Sequence, residues 1–303
     1  MTDYSSVIKT IQALDCKVTE NEPMAKHTSF RIGGPADLYV TVSTAEQLIA
    51  LRELAQKQDI PMMLIGNGSN LLVSDAGIRG IVVRLDGDFC KVEYLGKGVI
   101  RAGSGASLSN LCLTALENSL TGAEFAWGIP GSIGGAAFMN AGAYGGELKD
   151  IVTEVEYITT DGTVDQLTNE QCGFEYRGSI FQKSNCIVTA ITVKLKEGDM
   201  AQIKAEMDDI LGRRKSKQPL DMPSAGSTFK RPVGYFAGGL IEQCGLKGCS
   251  VGGAQVSEKH AGFVVNTGGA TCQDVLDLIK HIQDTVLQQT GVTLECEVKA
   301  IGG

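Results

Sequence analysis

The chain has 303 residues, of which 43% are hydrophobic and 20% charged, with 38 glycines and a net charge of −8. This apolar content excludes a disordered or collagen-like protein, and the acidic balance argues against a nucleic-acid-binding protein, which would show a basic field. Because single cores stop growing at about 250–300 residues, the length predicts roughly two domains.

The first two thirds of the chain predict a mixture of helices and strands. A capping box of Thr44 and Gln47 opens a predicted helix over 43–59, and apolar spacing predicts another over 107–119. The pair Asp161-Gly162 is a strong hairpin signal between two predicted strands. Buried or alternating patterns predict strands over 61–65, 80–85, 92–95, 99–102, 151–160, 163–167 and 186–195.

The composition and the predicted secondary structure change after Gly198. A charged amphipathic helix is predicted over 199–215, and Gln218-Pro219-Leu220 has the composition of a linker. The segments 235–244 and 271–289 and a closing strand over 292–301 then form a second unit. The pattern therefore predicts an α+β protein with two lobes, one domain over 1–198 (its core about 25–198) and one over 199–303.

One glycine-rich loop lies between apolar segments at 64–73, Leu-Ile-Gly-Asn-Gly-Ser-Asn-Leu-Leu-Val. Successive backbone N–H groups in such a turn can hold phosphate oxygens. It is not the Rossmann fingerprint, because Leu71 stands where the third glycine is required and no helix follows. Taken alone, the segment also fits an ordinary turn rich in asparagine.

A second glycine-rich segment covers 128–147, Gly-Ile-Pro-Gly-Ser-Ile-Gly-Gly-Ala-Ala-Phe-Met-Asn-Ala-Gly-Ala-Tyr-Gly-Gly-Glu. Pro130 can begin a helix, and Gly131-Ser132 would leave free N–H groups at its start, which suit an anion. The run 134–137, Gly-Gly-Ala-Ala, leaves space for a flat ring or a pyrophosphate. Since each glycine costs a helix about 1 kcal/mol relative to alanine, we favour a ligand over simple packing.

Further motifs occur in order around these loops: Thr28-Ser-Phe-Arg-Ile-Gly-Gly-Pro-Ala-Asp37, Tyr176-Arg177-x-Ser179, Pro223-Ser-Ala-Gly-Ser-Thr-Phe-Lys-Arg-Pro232, the segment 251–266 and Leu294-Glu-Cys-Glu-Val298. The two loops resemble the flavin-binding fold shared with vanillyl-alcohol oxidases (the PCMH type). The whole set, over residues 25 to 301, resembles the UDP-N-acetylenolpyruvoylglucosamine reductase (MurB) family in its short form.

The resemblance implies an FAD-binding domain in two subdomains and a C-terminal α+β substrate-binding domain. It also implies that NADPH reduces FAD, which then reduces the enolpyruvyl group of UDP-N-acetylglucosamine enolpyruvate in peptidoglycan precursor synthesis. The flavin supplies the hydride and the protein supplies orientation and electrostatics. The residues carried over for cofactor binding are Gly66, Asn67, Gly68, Ser69, Asn70, Leu71, Gly128, Ser132, Gly134, Gly135, Ala136, Asn140 and Gly142.

Three residues match the family's catalytic positions. Arg177 is expected to stabilise the enolate-like charge, and Ser227 to protonate the carbanion, which must be very basic to accept a hydroxyl proton. Glu297 is expected to help polarise the substrate carboxylate, which it can do only if protonated or hydrogen-bonded through its proton. Without the motif set, the better interpretations are structural: Arg177 would form a surface ion pair, Ser227 would be a loop or cap hydroxyl, and Glu297 would be a solvent-facing strand residue.

Substrate contacts are expected from Tyr176, Lys230 and Arg231, although a packed ring and a solvated pair of cations are the alternatives. His260 could line a cleft, and a structural histidine is at least as consistent with its context.

The chain departs from the family pattern in places. Gly239 stands where a longer, often basic side chain is usual, and Lys299 replaces an arginine, which loses bidentate geometry. Only Val233-Gly-Tyr-Phe236 stands where the long form inserts a segment with a substrate-capping tyrosine.

Other classes are disfavoured by the same sequence. Nine cysteines without a C-x-x-C pair and three histidines predict no metal site, and scattered thiols are typical of a cytoplasmic protein. There is no signal-peptide or membrane-spanning pattern. We expect a monomer; the rival functions are another FAD oxidoreductase of this fold and a non-catalytic nucleotide- or sugar-binding protein.

Overall fold

The computed structural model describes residues 4–303. The chain divides into two compact units, each built from three segments. The first comprises the residues up to Glu20, Leu38–Asn67 and Gly80–Gly212, and the second comprises Asn21–Asp37, Gly68–Arg79 and Arg213–Gly303. The predicted domain boundary near residue 198 stays a prediction.

The α-helices are α1 Ser5–Ala13, α2 Ala45–Lys57, α3 Leu108–Glu117, α4 Ile133–Met139, α5 Met200–Lys217, α6 Ala237–Gln243 and α7 Cys272–Thr290. The strands are β1 Lys17–Pro23, β2 Pro35–Val42, β3 Met62–Ile65, β4 Leu71–Val73, β5 Ile78–Leu85, β6 Val92–Gly96, β7 Val99–Gly103, β8 Leu120–Thr121, β9 Gly142–Ala143, β10 Gly146–Glu147, β11 Val152–Ile158, β12 Val164–Thr168, β13 Ile187–Lys194, β14 Lys196–Glu197, β15 Ser250–Val251, β16 Ala254–Val256, β17 Val264–Asn266 and β18 Lys299–Ile301. Short 3₁₀ turns lie at Met24–Lys26, Gly87–Cys90, Glu124–Ala126, Leu148–Asp150 and Ile180–Gln182.

The first unit contains a four-stranded sheet in the order β1-β2-β5-β3, in which β3 and β5 are parallel. Thr44 is the N-cap of helix α2, as predicted, because its hydroxyl accepts the Gln47 N–H at 3.3 Å, and the helix begins at Ala45 instead of 43. The Gln47 side chain accepts the N–H of Ser43 at 2.7 Å and not that of Thr44, so only half of the predicted capping box forms. Leu48 and Leu51 of this helix are fully buried in one hydrophobic core with Ile81.

A five-stranded antiparallel sheet in the order β12-β11-β13-β7-β6 also lies in the first unit. The predicted Asp161-Gly162 hairpin is confirmed: Ile158 pairs with Val164, and Gly162 adopts φ +87°. Ile191 of the central strand β13 is fully buried with Leu111 of α3 and Ile133 of α4 in a second hydrophobic core. This core fixes α4, which carries much of the second glycine-rich segment.

The second unit contains the sheet β15-β16-β17, the parallel pair of β18 with β4, and the helices α6 and α7. The predicted closing strand over 292–301 is wrong for most of its length, since only Lys299–Ile301 is strand. Upstream of β18 the pairing is a single antiparallel bridge of Cys296 with Phe229. The segment changes its partner at Lys299, whose N–H donates to the Asn70 carbonyl at 3.0 Å, so no continuous ladder forms.

Helix α7 has a fully hydrogen-bonded start. Thr271 and Asp274 form a capping box, and Asp75 accepts the N–H groups of Cys272 at 2.9 Å and Gln273 at 3.3 Å. Backbone N–H groups of Thr271 and Gly253 lower the pKa of the Asp274 carboxyl. The caps occupy N–H groups that a helix start otherwise leaves unpaired.

His260 is a structural residue of the second unit. Its Nδ1 accepts the Gly262 N–H at 3.1 Å, so the neutral ring carries its proton on Nε2, and the ring packs edge-on to Phe263 with centroids 5.0 Å apart. Burial lowers the pKa of the imidazole. Protonation of Nδ1 would break the bond to Gly262.

We predict that Thr271→Ala lowers the free energy of unfolding by about 1 kcal/mol, because the N–H of Asp274 loses its acceptor at the start of α7. Thr271→Ser keeps a hydroxyl and is expected to retain most of the stability. Urea unfolding followed by circular dichroism measures both variants, and a Thr271→Ala protein as stable as the unsubstituted one would contradict this account of the cap.

We also predict that His260 makes stability depend on pH. Because the folded-state pKa is lowered, the unfolded chain binds the proton more readily, so stability is lost as pH falls through the ordinary value of 6.5. His260→Asn keeps an acceptor for Gly262 and cannot titrate, so it should lose less stability between about pH 7.5 and about pH 5.5. Parallel losses in the two proteins, measured by urea unfolding, would refute the assignment.

Candidate active site

The loop between β3 and β4, residues 66–71, keeps several backbone donors unbonded. Among the described residues, no protein acceptor is found for the N–H groups of Asn67, Gly68, Ser69 and Asn70. Gly68 adopts φ +62°, and a Cβ there would collide with the carbonyl oxygen of His27 in the second unit, so only glycine fits. Four successive free N–H groups are the feature that the sequence predicted for a phosphate site.

Arg84 supports the beginning of this loop within the first unit. Its Nη1 donates to the carbonyl oxygen of Gly66 at 2.6 Å and its Nη2 to Oδ1 of Asn67 at 3.1 Å. Arg84 lies opposite Ile65 in the parallel pair of β5 with β3, beside the point where β3 ends. Arg84 was not among the residues predicted from the sequence, although it is a lone arginine within the apolar run of 81–85.

The second glycine-rich segment forms a shorter helix than predicted. Helix α4 begins at Ile133 with Ser132 as its N-cap, so the expected start at Pro130 is wrong. The Ser132 hydroxyl accepts the Gly135 N–H at 3.3 Å, while Ile133 and Gly134 donate to the carbonyl oxygens of Ala106 and Ser104, both at 2.8 Å. These N–H groups are therefore used within the protein, by a loop that follows β7.

The two helical glycines differ in their surroundings. A Cβ on Gly134 would approach the Ser104 side chain to 2.9 Å, so packing accounts for this glycine. Gly135 is exposed, and its closest neighbour would be the Ser132 hydroxyl at 3.3 Å. The hydroxyl of Ser104, beside Gly134, is buried without a protein partner. The predicted space for a ligand is therefore retained at Gly135 and not at Gly134.

The two glycine-rich segments meet within the first unit. A Cβ on Gly66 would collide with the Ser132 hydroxyl, and Nδ2 of Asn67 donates to the Pro130 carbonyl at 3.3 Å. The unbonded N–H groups of residues 67–70 suit phosphate oxygens such as those of FAD. Within the first unit, the buried Ser104 hydroxyl has no protein partner.

The remaining predicted cofactor residues have structural bonds as well. Asn140, 1% exposed, donates from Nδ2 to Oε2 of Glu147 at 2.7 Å and to the Glu175 carbonyl at 3.0 Å. The Gly142 carbonyl accepts from Nη1 of Arg177 at 3.4 Å. Gly128 adopts φ +77°, Ala136 is buried in α4, and Leu71 begins β4. Cofactor contacts from these residues stay predictions.

Arg177 lies in a tight turn of the first unit. Glu175 and Gly178 close the turn with reciprocal backbone bonds at 3.0 and 3.1 Å, and Arg177 adopts φ +56°. This left-handed conformation costs a side chain such as arginine about 1–2 kcal/mol. Its guanidinium lies 5.2 Å from the ring centroid of Tyr176, which is half exposed. Backbone strain of this kind is typical of functional sites.

Ser227 and Glu297 lie on adjacent segments of the second unit. Between them, Thr228 is held by hydrogen bonds from its backbone and its hydroxyl. Its N–H donates to the Gly262 carbonyl at 2.8 Å, its hydroxyl accepts the Val264 N–H at 3.0 Å, and its carbonyl accepts the Glu297 N–H at 2.8 Å. These bonds fix the backbone next to the exposed Ser227. The structure therefore brings two of the three catalytic candidates together in one unit, while Arg177 belongs to the other.

Asn70 joins Glu297 to the first glycine-rich loop. Its Nδ2 donates to the Glu297 carbonyl at 3.2 Å, and its own carbonyl accepts the Lys299 N–H at 3.0 Å. Leu71 then pairs with Lys299 in the parallel β4·β18 ladder. The loop residues from Gly68 to Asn70 and the segment that carries Glu297 are thus connected within the second unit.

The expected substrate-binding cations differ in their environment. Lys230 forms an ion pair with Glu295, and its side chain is 24% exposed. Arg231 donates to the Tyr235 carbonyl at 3.3 Å, and its guanidinium lies 4.0 Å from the Phe236 ring centroid. Gly239 on α6 is exposed. A Cβ added there would lie 3.8 Å from the Phe236 side chain, which is an ordinary contact distance.

Residues 4–303 contain no group of three or more His, Cys, Asp and Glu residues that could hold a metal ion. The same residues include no helix that is long and apolar enough to cross a membrane.

Family models match most of the chain. The model of the FAD binding domain matches residues 36–168, and the model of the UDP-N-acetylenolpyruvoylglucosamine reductase C-terminal domain matches residues 218–301. Among named relatives, the UDP-N-acetylenolpyruvoylglucosamine reductase of Clostridioides difficile is 50% identical over 299 residues, 99% of this chain and 97% of its own. That of Caldanaerobacter subterraneus is 51% identical over 286 residues, 94% of each chain.

Solved structures agree with the sequence matches. The UDP-N-acetylenolpyruvylglucosamine reductase (MurB) from Thermus caldophilus superposes with a TM-score of 0.81 at 36% identity, covering 94% of this chain and 98% of that one. A BBE-like protein of Physcomitrella patens, at a TM-score of 0.50 and 18% identity over 63% of this chain and 44% of its own, shares the fold alone.

These matches confirm three predictions from the sequence: the two-part α+β fold with its FAD-binding domain of the vanillyl-alcohol oxidase type, the FAD cofactor, and the assignment as an oxidoreductase. Identity near 50% extends over almost the whole length of both chains, which excludes a match limited to a shared domain. The chain belongs to the UDP-N-acetylenolpyruvoylglucosamine reductase (MurB) family.

Proposed function

We propose that this protein reduces UDP-N-acetylglucosamine enolpyruvate to UDP-N-acetylmuramate with NADPH as the reductant, in peptidoglycan precursor synthesis. Relatives named for the reductase activity, half identical over the whole chain, support the reaction class. The observation that carries the proposal is the pairing of the Ser227 and Glu297 segments through Thr228, with Asn70 of the phosphate-binding loop bonded to Glu297. A proton donor and a carboxylate group are needed together for this reduction.

FAD, when bound, supplies the hydride that reduces the carbon–carbon double bond. The residues that we assign to its phosphates are Asn67 to Asn70, through their unbonded N–H groups. Gly135 lies near Ser132, which also borders Gly66, and offers an uncovered backbone surface, while the buried Ser104 hydroxyl lies beside Gly134.

Ser227 is assigned as the proton donor. Addition of hydride to the terminal carbon leaves negative charge on the adjacent carbon, delocalised into its carboxylate. A hydroxyl is a weak acid, so Ser227 can act only on a base as strong as this carbanion. The hydrogen bonds of Thr228 fix the backbone beside Ser227, and none of them uses the Ser227 hydroxyl.

Arg177 and Glu297 are assigned to the developing charge. A fixed guanidinium near the substrate carboxylate stabilises the enolate-like state more than the ground state, which is the requirement for catalysis. An ionised Glu297 would repel the same charge. Glu297 therefore acts in its protonated form, or through a shared proton, and donates a hydrogen bond to the substrate carboxylate.

Lys230, Arg231 and Tyr176 are assigned to the remainder of the substrate. Lys230 would exchange part of its interaction with Glu295 for a diphosphate oxygen, and Arg231 presents a second cation one residue along. NADPH and the UDP-sugar would use the same cleft in turn, as in the family. We also infer a cytoplasmic monomer; nine cysteines that remain free thiols suit a reducing compartment.

We predict that Ser227→Ala leaves the bleaching of flavin absorbance by NADPH unchanged. Reoxidation by the enolpyruvyl sugar should slow by about 10²–10⁴-fold, because the carbanion loses its proton donor. Anaerobic stopped-flow absorbance measures each half-reaction separately.

Ser224→Ala is the matched control, because Ser224 lies in the same loop and contributes its backbone carbonyl, not its hydroxyl, to a bond with Ser29. It should behave as the unsubstituted enzyme in both half-reactions. Normal substrate-driven reoxidation in Ser227→Ala would remove Ser227 from the mechanism.

A further inference from the structure

The conformation of Arg177 requires support from outside its own turn. Glu175 and Gly178 close the turn around Tyr176 and Arg177, and Arg177 occupies the position with φ +56°. In a turn whose second central residue has a positive φ, glycine or asparagine is favoured over arginine. A strained residue keeps such a conformation only where its surroundings determine it.

Gln182 supplies that support. From the 3₁₀ turn Ile180–Gln182, its side-chain amide donates to the Arg177 carbonyl at 2.9 Å and to the Phe138 carbonyl at 3.1 Å, with Sδ of Met139 at 3.4 Å. An amide NH₂ group has two donors, so both are used on backbone carbonyls. The side chain therefore connects the peptide of Arg177 directly to the end of α4.

The same end of α4 is fixed to the turn on either side. The hydroxyl of Ser179, which is 4% exposed, donates to the Phe138 carbonyl at 2.9 Å, and Asn140 donates to the Glu175 carbonyl at 3.0 Å. These two bonds hold residues that flank Arg177, whereas Gln182 bonds to Arg177 itself. Helix α4 is anchored in the hydrophobic core by Ile133, Ala136 and Ala137, so its end is a fixed point for the turn.

We propose that Gln182 is a positioning residue for Arg177: its bond to the Arg177 carbonyl orients the following peptide plane and so directs the guanidinium. This inference rests on the proposed function, in which Arg177 stabilises charge on the substrate. Gln182 touches neither substrate nor cofactor in this scheme and acts through Arg177 alone.

Two substitutions test the bond. Gln182→Met has similar length and no donor, while Gln182→Lys has similar length and donors for both carbonyls. Substrate-driven flavin reoxidation should fall about 10- to 100-fold in Gln182→Met, since misplacement of a catalytic group by about 1 Å can cost this much. Reduction by NADPH should not change, and Gln182→Lys should recover most of the rate.

Gln171→Met is the matched control, because Gln171 also bonds to a backbone group of the first unit, the Thr168 N–H at 2.9 Å, away from Arg177. It should keep the rate of both half-reactions. Calorimetric binding of UDP-N-acetylmuramate supplies a second readout: affinity should fall in Gln182→Met and not in Gln171→Met. Thermal unfolding identifies any variant whose fold is damaged.

A double-mutant cycle with Arg177→Lys separates positioning from general stability. If Gln182 acts through Arg177, Gln182→Met should slow reoxidation by less than about twofold once Arg177 is lysine. Additive effects in the cycle, or normal reoxidation in Gln182→Met, would overturn the positioning role and leave that of Arg177 intact. Normal reoxidation in Arg177→Lys alone would instead overturn the proposed role of Arg177, and this inference with it.

Discussion

The site depends on a loop that must keep a fixed shape while its own backbone donors stay unbonded. Segments of secondary structure hold their shape through N–H bonds, and residues 67–70 do not use theirs within the protein. Other groups therefore supply the constraint. Arg84 donates a hydrogen bond to the carbonyl of Gly66 at the start of the loop. The backbone of Gly68 packs against the carbonyl of His27, which leaves no space for a side chain. The side chain of Asn70 donates to the carbonyl of Glu297. A phosphate site requires such a loop, with a fixed backbone and N–H groups that remain free for the ligand.

The glycines of α4 suggest that the helix binds an anion at its start, but its role in the site is a different one. Its first N–H groups are occupied by Ser104, Ala106 and Ser132, so the loop before β4 is the stronger candidate for the anion. What α4 contributes is position: its start lies against Gly66, and its end is bonded to the turn of Arg177. This short helix, anchored in the core by Ile133, Ala136 and Ala137, therefore connects the start of the predicted cofactor loop with the turn of the predicted catalytic arginine.

Local patterns in the sequence were sufficient for features made by neighbouring residues. The Thr44 cap and the Asp161-Gly162 hairpin involve groups a few residues apart, and both were predicted correctly. The start of α4 was missed because the carbonyls that occupy its N–H groups come from Ser104 and Ala106, almost thirty residues upstream. Arg84 was missed for the same reason, since its partners Gly66 and Asn67 lie in the loop that follows β3, the strand paired in parallel with that of Arg84.

The C-terminal segment 292–301 also shows that local patterns do not predict contacts between residues far apart in the sequence. Alternation in 292–301 predicted a strand, yet the chain pairs first with the Phe229 segment and then with β4, and only Lys299–Ile301 forms a ladder. Nor does a single linear boundary describe the second unit, which includes 21–37 and 68–79 through bonds such as Asn266 to Phe30 and Asp75 to Cys272. The catalytic assignments came from motif resemblance, because an arginine, a serine and a glutamate have no local signature of their own.

The central claim is that the reduced enzyme passes its electrons to the enolpyruvyl double bond of a UDP-sugar. Anaerobic stopped-flow absorbance tests it most directly, with the enzyme reduced by one equivalent of NADPH and then mixed with UDP-N-acetylglucosamine enolpyruvate or with UDP-N-acetylglucosamine. The account predicts that only the enolpyruvyl compound restores the flavin absorbance, with formation of UDP-N-acetylmuramate. Flavin that stays reduced with the enolpyruvyl compound, or that reoxidises equally with the sugar lacking the double bond, would contradict it.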